Sequence, residues 1–130
     1  MNQQIDASFG KAKRLLNAED YSTVFDEPDA KAFHKNLLLL AKVNKGPGHR
    51  LGLVIAKKNV RQAVQRNRIK RIAREFVRKG PGGLPLDVVV LARRGLDQLD
   101  NAELASLFRR QWDKLARHIS KIESNTTQGS

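Results

Sequence analysis

One segment of the sequence constrains the fold more than any other, because it combines a helical apolar pattern with most of the protein's charge. At about 100° per residue, residues 61–79 place their apolar and cationic side chains on opposite sides of a helix. The apolar side contains Ile69, Ile72, Ala73, Phe76 and Val77. The other side contains Asn67, Lys70, Arg71, Arg74 and Arg78. The sequence therefore predicts a helix that packs on a core by one face and presents cations to solvent by the other.

The charge of this segment points to an anionic partner. The 130 residues include 25 Lys+Arg and 13 Asp+Glu, and residues 57–79 contain ten of those bases and a single acid, Glu75. Cations three and four residues apart destabilise a helix by about 0.2–0.5 kcal/mol per pair. Arg66 and Arg68 flank its N-terminal end, where free backbone N–H groups also favour phosphate. Nucleic acid is favoured over a membrane surface, because the apolar face is needed by the core.

Length and composition limit the class of protein. A chain of 130 residues is predicted to form one domain, and it has no cysteine for a disulfide or a thiolate metal site. The longest apolar run, 37–41, is far shorter than the roughly 20 residues of a membrane span. We therefore expect a cytoplasmic protein.

The remaining pattern predicts an α+β fold of order α, β, β, α, β, α. Asn17 is a predicted N-cap for a helix over 18–26, and 36–43 and 50–58 are predicted to pair as a hairpin. Residues 86–94 are a predicted strand, and Asp100 with Glu103 predicts a capping box that opens a last helix. The apolar stripe of that helix comprises Leu104, Leu107, Phe108, Trp112, Leu115 and Ile119.

No group of residues suggests catalysis by the protein itself. His34, His49 and His118 are widely separated in the sequence and are predicted to be ordinary surface residues. The acidic cluster 26–29 is predicted to be a solvated loop. The sequence therefore predicts no catalytic residue and no metal ligand.

The segment KKNVRQAVQRNRIKRIAREF resembles the signature of the protein subunit of bacterial ribonuclease P. The matching residues are Ala63, Val64, Arg66, Asn67, Lys70, Arg71 and Arg74. RLLNAEDYSTVF and DVVVLARRG are similar to the N-terminal segment and the last strand of that family. The resemblance covers about residues 12–119, expected to be a single RNA-binding domain between a flexible tail, 1–11, and a disordered tail, 120–130.

The resemblance implies a fold like the second domain of ribosomal protein S5, an α-β-β-β/α sandwich. It also implies a left-handed β-α-β crossover through the basic helix, although about 98% of such crossovers are right-handed.

The resemblance further implies a subunit of an endonuclease whose chemistry is carried by RNA. Such a protein assists the catalytic RNA in removing the 5′ leader from precursor tRNA, with Mg²⁺ bound mainly by the RNA. The implied partners are the catalytic RNA and precursor tRNA with its single-stranded leader. No protein partner and no membrane are indicated.

Two groups of binding residues follow from the resemblance. Contact with the catalytic RNA is expected of Arg66, Asn67, Arg68, Lys70, Arg71 and Arg74. Contact with the leader is expected of Tyr21, Phe25, Leu39, Lys57 and Lys58. Tyr21 and Phe25 also fit an ordinary core stripe, and Leu39 is expected to replace an aromatic residue that the family often has in its first strand.

Other functions remain open from the residues alone. A ribosomal or ribosome-assembly protein would share the charge and the fold, but it would not stimulate tRNA processing. A DNA-binding protein would prefer duplex DNA at matched salt, and its basic helix would need more base-reading side chains. A stand-alone nuclease would cleave without RNA.

Overall fold

The structure, a computed structural model, describes residues 17–46, 48–79 and 82–129, with side chains described as far as Lys121. It has three α-helices, four strands and a short 3₁₀ helix, and it confirms the predicted α+β class. In chain order the elements are α1 (Ala18–Asp26), β1 (Ala30–His34), β2 (Leu37–Val43), β3 (Arg50–Val54), α2 (Ala63–Arg78), β4 (Leu86–Ala92), the 3₁₀ helix (Leu96–Gln98) and α3 (Asn101–Gly129).

The four strands form one mixed sheet of order β1-β2-β4-β3. The predicted hairpin between 36–43 and 50–58 is wrong, because β4 lies between β2 and β3. β2 pairs antiparallel with both β1 and β4, whereas β3 pairs parallel with β4. The hairpin of this fold joins β1 to β2 through a tight turn at Lys35 and Asn36.

Strand β1 was not predicted, because its sequence AKAFH carries little strand propensity. It alternates between two environments. Ala30 and Ala32 are buried against the core, while Lys31 and Phe33 are exposed on the opposite face. The small alanine side chains leave room for α3 to pack over this edge strand.

Helices cover the sheet on both faces. On one face, α2 and α3 bury the side chains of alternate strand residues, including Leu39, Val88 and Val90. On the other face, α1 places Val24 against Leu40 and Val89. The predicted stripe of α3 is confirmed, since each of its six residues is buried. The connection from β3 through α2 to parallel β4 is the expected β-α-β unit, and its left-handed sense stays a prediction.

The helix ends agree with the predicted caps. Asn17 and Asp20 form a reciprocal capping box at α1, which spans the predicted 18–26. Asp100 and Glu103 form the predicted box before α3, with N···O distances of 2.9 and 2.8 Å. Helix α3 continues to Gly129, so residues 120–129 are helical where the sequence predicts disorder. The predicted tail 1–11 lies outside the described residues.

No described helix is long and apolar enough to cross a membrane.

Candidate nucleic-acid interface

The basic helix α2 is fixed to the core by its apolar face. Ile69, Ala73 and Val77 are buried, and Ile72 and Phe76 pack against the same core. The Phe76 ring also meets the Trp112 ring of α3 edge to face, with centroids 5.5 Å apart. Anchoring of this kind fixes the direction in which the opposite face points, as the helical pattern predicted.

The opposite face presents unpaired polar side chains. Asn67 and Arg71 are exposed, and Lys70 is partly exposed. Among the described residues, none of these three side chains has a hydrogen bond or ion pair to the protein. We call this group, Asn67, Lys70 and Arg71 with Arg74, the α2 cationic face. Its donors are free for an external acceptor.

The acid of the segment neutralises only the far end of the helix. Glu75 forms an ion pair with Arg78 one turn on. The hydrogen bond from Arg78 lowers the pKa of the Glu75 carboxyl below its ordinary value. Charge on the N-terminal part of α2 is consequently left without a local counter-ion. Positive charge is therefore concentrated around residues 66–74.

Arg66 and Arg68, two of the predicted RNA-binding arginines, also donate hydrogen bonds within the protein. Arg66 Nη1 donates to the carbonyls of Val60 and Arg61 at 3.0 and 2.9 Å, tying the loop before α2 to the helix. Arg66 and Arg68 each keep at least one N–H group that makes none of these bonds, and their contact with RNA stays a prediction.

Arg68 makes the larger set of protein contacts. It joins α2 to the segment that leads into α3. Its guanidinium donates to Gln65 Oε1 (2.8 Å), Asn101 Oδ1 (2.9 Å), the Leu99 carbonyl (2.9 Å) and the Asp97 carbonyl (3.2 Å). Sequence pattern could not reveal this role, because three of the four acceptors lie about thirty residues away and two of them are backbone carbonyls.

Arg74 differs from Arg66 and Arg68 in its hydrogen bonding. Its Nε is buried and has no hydrogen-bond partner among the described atoms. An unsatisfied buried donor costs about 1–3 kcal/mol. This arginine is the member of the α2 cationic face that lies closest to the core.

Helix α1 presents the two predicted aromatics differently. Tyr21 is half-buried, its hydroxyl accepts a hydrogen bond from the Leu53 N–H at 2.9 Å, and burial raises its pKa. Its ring lies so close to Gly52 that a Cβ there would be 2.7 Å from ring carbons. Phe25 is 42% exposed. Tyr21 is therefore anchored to the sheet, and Phe25 offers the freer ring.

Leu39 is the predicted leader-binding residue that the structure excludes. It is fully buried on the α2 and α3 side of the sheet, facing away from α1. Side chains alternate along a strand, so a shift of one residue reverses the face. Leu38, which is partly exposed in the α1 cluster, has the position expected of Leu39.

The two predicted lysines lie at one end of the sheet. Lys57 and Lys58 follow β3 and line an open pocket of about 720 Å³ together with Arg61 and Arg94. Tyr21 and Phe25 do not line this pocket. The structure therefore separates the predicted leader-binding residues into an aromatic part on α1 and a cationic part beside it.

A partly buried ion-pair network holds α1 over the sheet, and it was not predicted from the sequence. Arg50 Nε and Nη2 donate to the two carboxyl oxygens of Asp87 at 2.9 and 2.7 Å. Arg50 Nη1 reaches Asp20 of α1 at 3.1 Å. Asn44 also donates to Asp87, at 2.8 Å. The hydrogen bonds that Arg50 donates to Asp87 are the main cause of the raised pKa of Arg50.

The histidines show no metal chemistry in the described part of the chain. His49 is buried, contrary to the prediction, because its Nδ1 accepts the Leu86 N–H at 3.0 Å and its ring packs edge-on against Trp112. No group of three or more His, Asp or Glu that could hold a metal ion occurs among the described residues.

Comparison with known proteins shows which family the chain resembles. The family model described as Ribonuclease P matches residues 9–116. The ribonuclease P protein component of Ectopseudomonas mendocina is 45% identical over 127 residues, covering 97% of this chain and 95% of that protein. That of Pseudomonas aeruginosa is 47% identical over 121 residues, covering 92% and 90%.

Solved structures of ribonuclease P proteins have a similar fold. A ribonuclease P protein from Staphylococcus aureus, 26% identical, superposes with a TM-score of 0.70 over 82% of this chain and 99% of that one. The protein from Thermotoga maritima, 28% identical, gives 0.60 over 75% and 96%. The chain therefore shares its α+β fold with solved ribonuclease P proteins. The chain belongs to the ribonuclease P protein family, whose members are components of a ribonucleoprotein endoribonuclease of tRNA processing.

Proposed function

We propose that this protein assists a catalytic RNA in removing the 5′ leader of precursor tRNA, using two separate surfaces. The α2 cationic face binds the catalytic RNA, and the surface beside α1 binds the single-stranded leader. The observation that carries the proposal is the α2 cationic face, which is fixed by a buried apolar side and whose Asn67, Lys70 and Arg71 have no partner among the described residues.

Phosphate is the ligand that best suits the α2 cationic face. Arginine presents several N–H donors in a planar fork, which matches two phosphate oxygens. Each phosphate neutralised releases counter-ions, so binding weakens as salt concentration rises. Arg66 and Arg68 sit beside this face, and their protein hydrogen bonds leave other N–H groups of each guanidinium available.

The leader surface has the parts needed to bind a single strand. Single-stranded nucleic acids are bound by aromatic rings that stack on bases and by cations that follow the phosphates. Phe25 supplies an exposed ring, Tyr21 a half-buried one, and Lys57 with Lys58 the adjacent cations. Leu38 extends the apolar floor in place of Leu39.

Mg²⁺ is assigned in this proposal mainly to the RNA subunit. Asp20 and Asp87, two carboxylates near the α1 surface, are already paired with Arg50, and the described residues form no group of three metal-binding side chains. What this chain contributes is positive charge and substrate affinity.

The proposal is tested by a cleavage assay. Purified protein is mixed with a bacterial ribonuclease P RNA and precursor tRNA at low Mg²⁺, and 5′-leader release is measured with and without protein. We expect strong stimulation that requires the RNA subunit. Tight RNA binding without stimulation would instead support a ribosome-associated role, and cleavage by the protein without the RNA subunit would also contradict the proposal.

A further inference from the structure

The exposed ring of Phe33 is the feature of the described surface that the proposed function leaves unused. Phe33 is 61% exposed, the largest exposure of any aromatic side chain in the described part of the chain. It lies opposite Leu38 in the β1–β2 pair, on the face of the sheet that α1 covers. Moving outward across this face, Phe33 is the first aromatic ring after the α1 surface.

Two open pockets lie where β1 meets α3. One, of about 480 Å³, is lined by Phe33 and Lys31 of β1 and by His118 and Lys121 of α3. The other, of about 460 Å³, is lined by His34, Lys35 and Arg110. Phe33 and His34 are consecutive residues of β1, so both pockets lie along the same edge strand.

The charge of this region is positive, because four bases line its two pockets, Lys31, Lys35, Arg110 and Lys121, against two acids, Asp29 and Glu103. Asp29 Oδ2 accepts the Val43 N–H at 2.9 Å, and Glu103 Oε1 accepts the Asp100 N–H in the capping box. Arg110 donates only to Ser106 Oγ among the described residues. Partial burial lowers the pKa of His34, and the positive charges of Arg110, Lys35 and Lys114 lower it further.

The position of β1 in the sheet keeps this region away from the α2 cationic face. In the order β1-β2-β4-β3, helix α3 packs on β1 at one edge and α2 packs near β3 at the other. Helix α1 lies between them, over β2 and β4. A single-stranded RNA that crosses the α1 surface in the direction away from β3 therefore reaches Phe33 next.

We propose that Phe33, with Lys31, Lys35, Arg110 and Lys121, forms a second single-strand RNA subsite that binds leader nucleotides beyond those held at α1. Phe33 stacks on a base, and the four cations contact the neighbouring phosphates. An exposed ring between cationic pockets is complementary to a single strand, in which bases and phosphates alternate. This inference rests on the proposed leader binding and extends it to a further set of residues.

The subsite is tested with precursor tRNAs whose leaders are lengthened one nucleotide at a time. The affinity of the reconstituted holoenzyme is measured for each. With the unaltered protein, we expect affinity to rise as the leader fills the α1 surface and to rise again as it reaches β1. Phe33→Ala should remove the second rise, a loss of about tenfold, and leave the first rise intact.

Matched variants test whether the aromatic ring of Phe33 causes the second rise in affinity. Phe33→Leu keeps an apolar strand residue without an aromatic ring and should behave like Phe33→Ala, whereas Phe33→Trp should restore the second rise. Phe25→Ala should reduce the first rise. Lys31→Ala with Lys121→Ala should lower the salt dependence for long leaders by about 1.4 in log–log slope.

The outcomes separate this inference from the proposed function. If Phe33→Ala matches the unaltered protein at every length while Phe25→Ala loses affinity, the second subsite is wrong and leader binding at α1 stands. If leader length never affects the unaltered protein, both proposals are wrong. If Phe33→Ala abolishes self-association in sedimentation and leaves leader affinity unchanged, the ring serves a dimer contact and the RNA subsite is overturned.

Discussion

At the scale of single residues, Gly52 shows how a position without a side chain shapes the proposed leader surface. The Tyr21 ring occupies the space above this glycine, and the Tyr21 hydroxyl is bound to the backbone of Leu53. The close approach fixes where α1 rests on the sheet. No sequence pattern indicates it, because the two residues are thirty-one positions apart.

Gly52→Ala should therefore disturb both stability and leader binding. The added methyl group would displace the Tyr21 ring, at a cost of about 1–3 kcal/mol, measurable by urea unfolding. Gly82→Ala is the matched control, because no atom lies within 4 Å of the Cβ that it would add. Equal stability of the two variants would show that Tyr21 is not held as described.

Arg68 illustrates a signature-region residue whose main observed contacts are within the protein. Four hydrogen bonds connect its guanidinium to Gln65 and to the segment before α3. Arg68→Ala should lower the free energy of unfolding by about 1–3 kcal/mol. Arg71→Ala, which removes an exposed and unpaired arginine, should change it by about 0.5 kcal/mol or less. If the two substitutions cost the same, the structural role of Arg68 is refuted.

At the scale of elements, the sequence predicted best where a local pattern decides the structure. The N-cap at Asn17, the capping box at Asp100, the stripe of α3 and the two faces of α2 are all local features, and all are confirmed. Strand pairing is not local. The hairpin prediction failed because β1 has a weak sequence and because β4, far along the chain, displaces β3 from β2.

The wrong assignment of Leu39 to the leader surface also arose because strand pairing is not local. In a run of four leucines, apolar character does not say which residues face which side. Only the pairing of β2 with β1, which was not predicted, and with β4, which was predicted as a strand but not as a neighbour of β2, assigns Leu38 and Leu40 to the α1 face. The RNA-binding roles of the signature residues stay predictions, since they depend on a partner.

The α2 cationic face should be separable from the fold by substitution. Lys70→Ala with Arg71→Ala removes two cations that have no hydrogen-bond or ion-pair partner in the part of the chain that the structure describes. We expect RNA-subunit affinity to fall about tenfold or more at moderate salt and the log–log salt slope to decrease by about 1.4–1.8, with unchanged thermal unfolding. Filter binding over a salt series measures both quantities.

A charge-matched control makes this test specific. Lys45→Ala with Arg117→Ala removes the same charge from exposed positions outside α2. If this control weakens RNA binding as much as the α2 variant, net charge rather than the α2 cationic face determines assembly.

At the scale of the whole molecule, the sheet separates the two proposed functions. Helix α2 packs on one face and points its cations away from it, while α1 covers the other face and carries the aromatic residues. The Arg50–Asp87–Asp20 network fixes α1 to the sheet independently of α2. In the proposed function, this separation lets one surface bind the catalytic RNA while the other binds the leader.

The most direct test is the preference of the reconstituted holoenzyme for precursor over mature tRNA, measured by equilibrium binding with saturating protein. Phe25→Ala should reduce this preference about tenfold while assembly with the RNA subunit is unchanged. Lys70→Ala with Arg71→Ala should weaken assembly but retain the preference once protein is saturating. A Phe25→Ala holoenzyme with full preference, or an α2 variant that assembles normally, would contradict the assignment of the two surfaces.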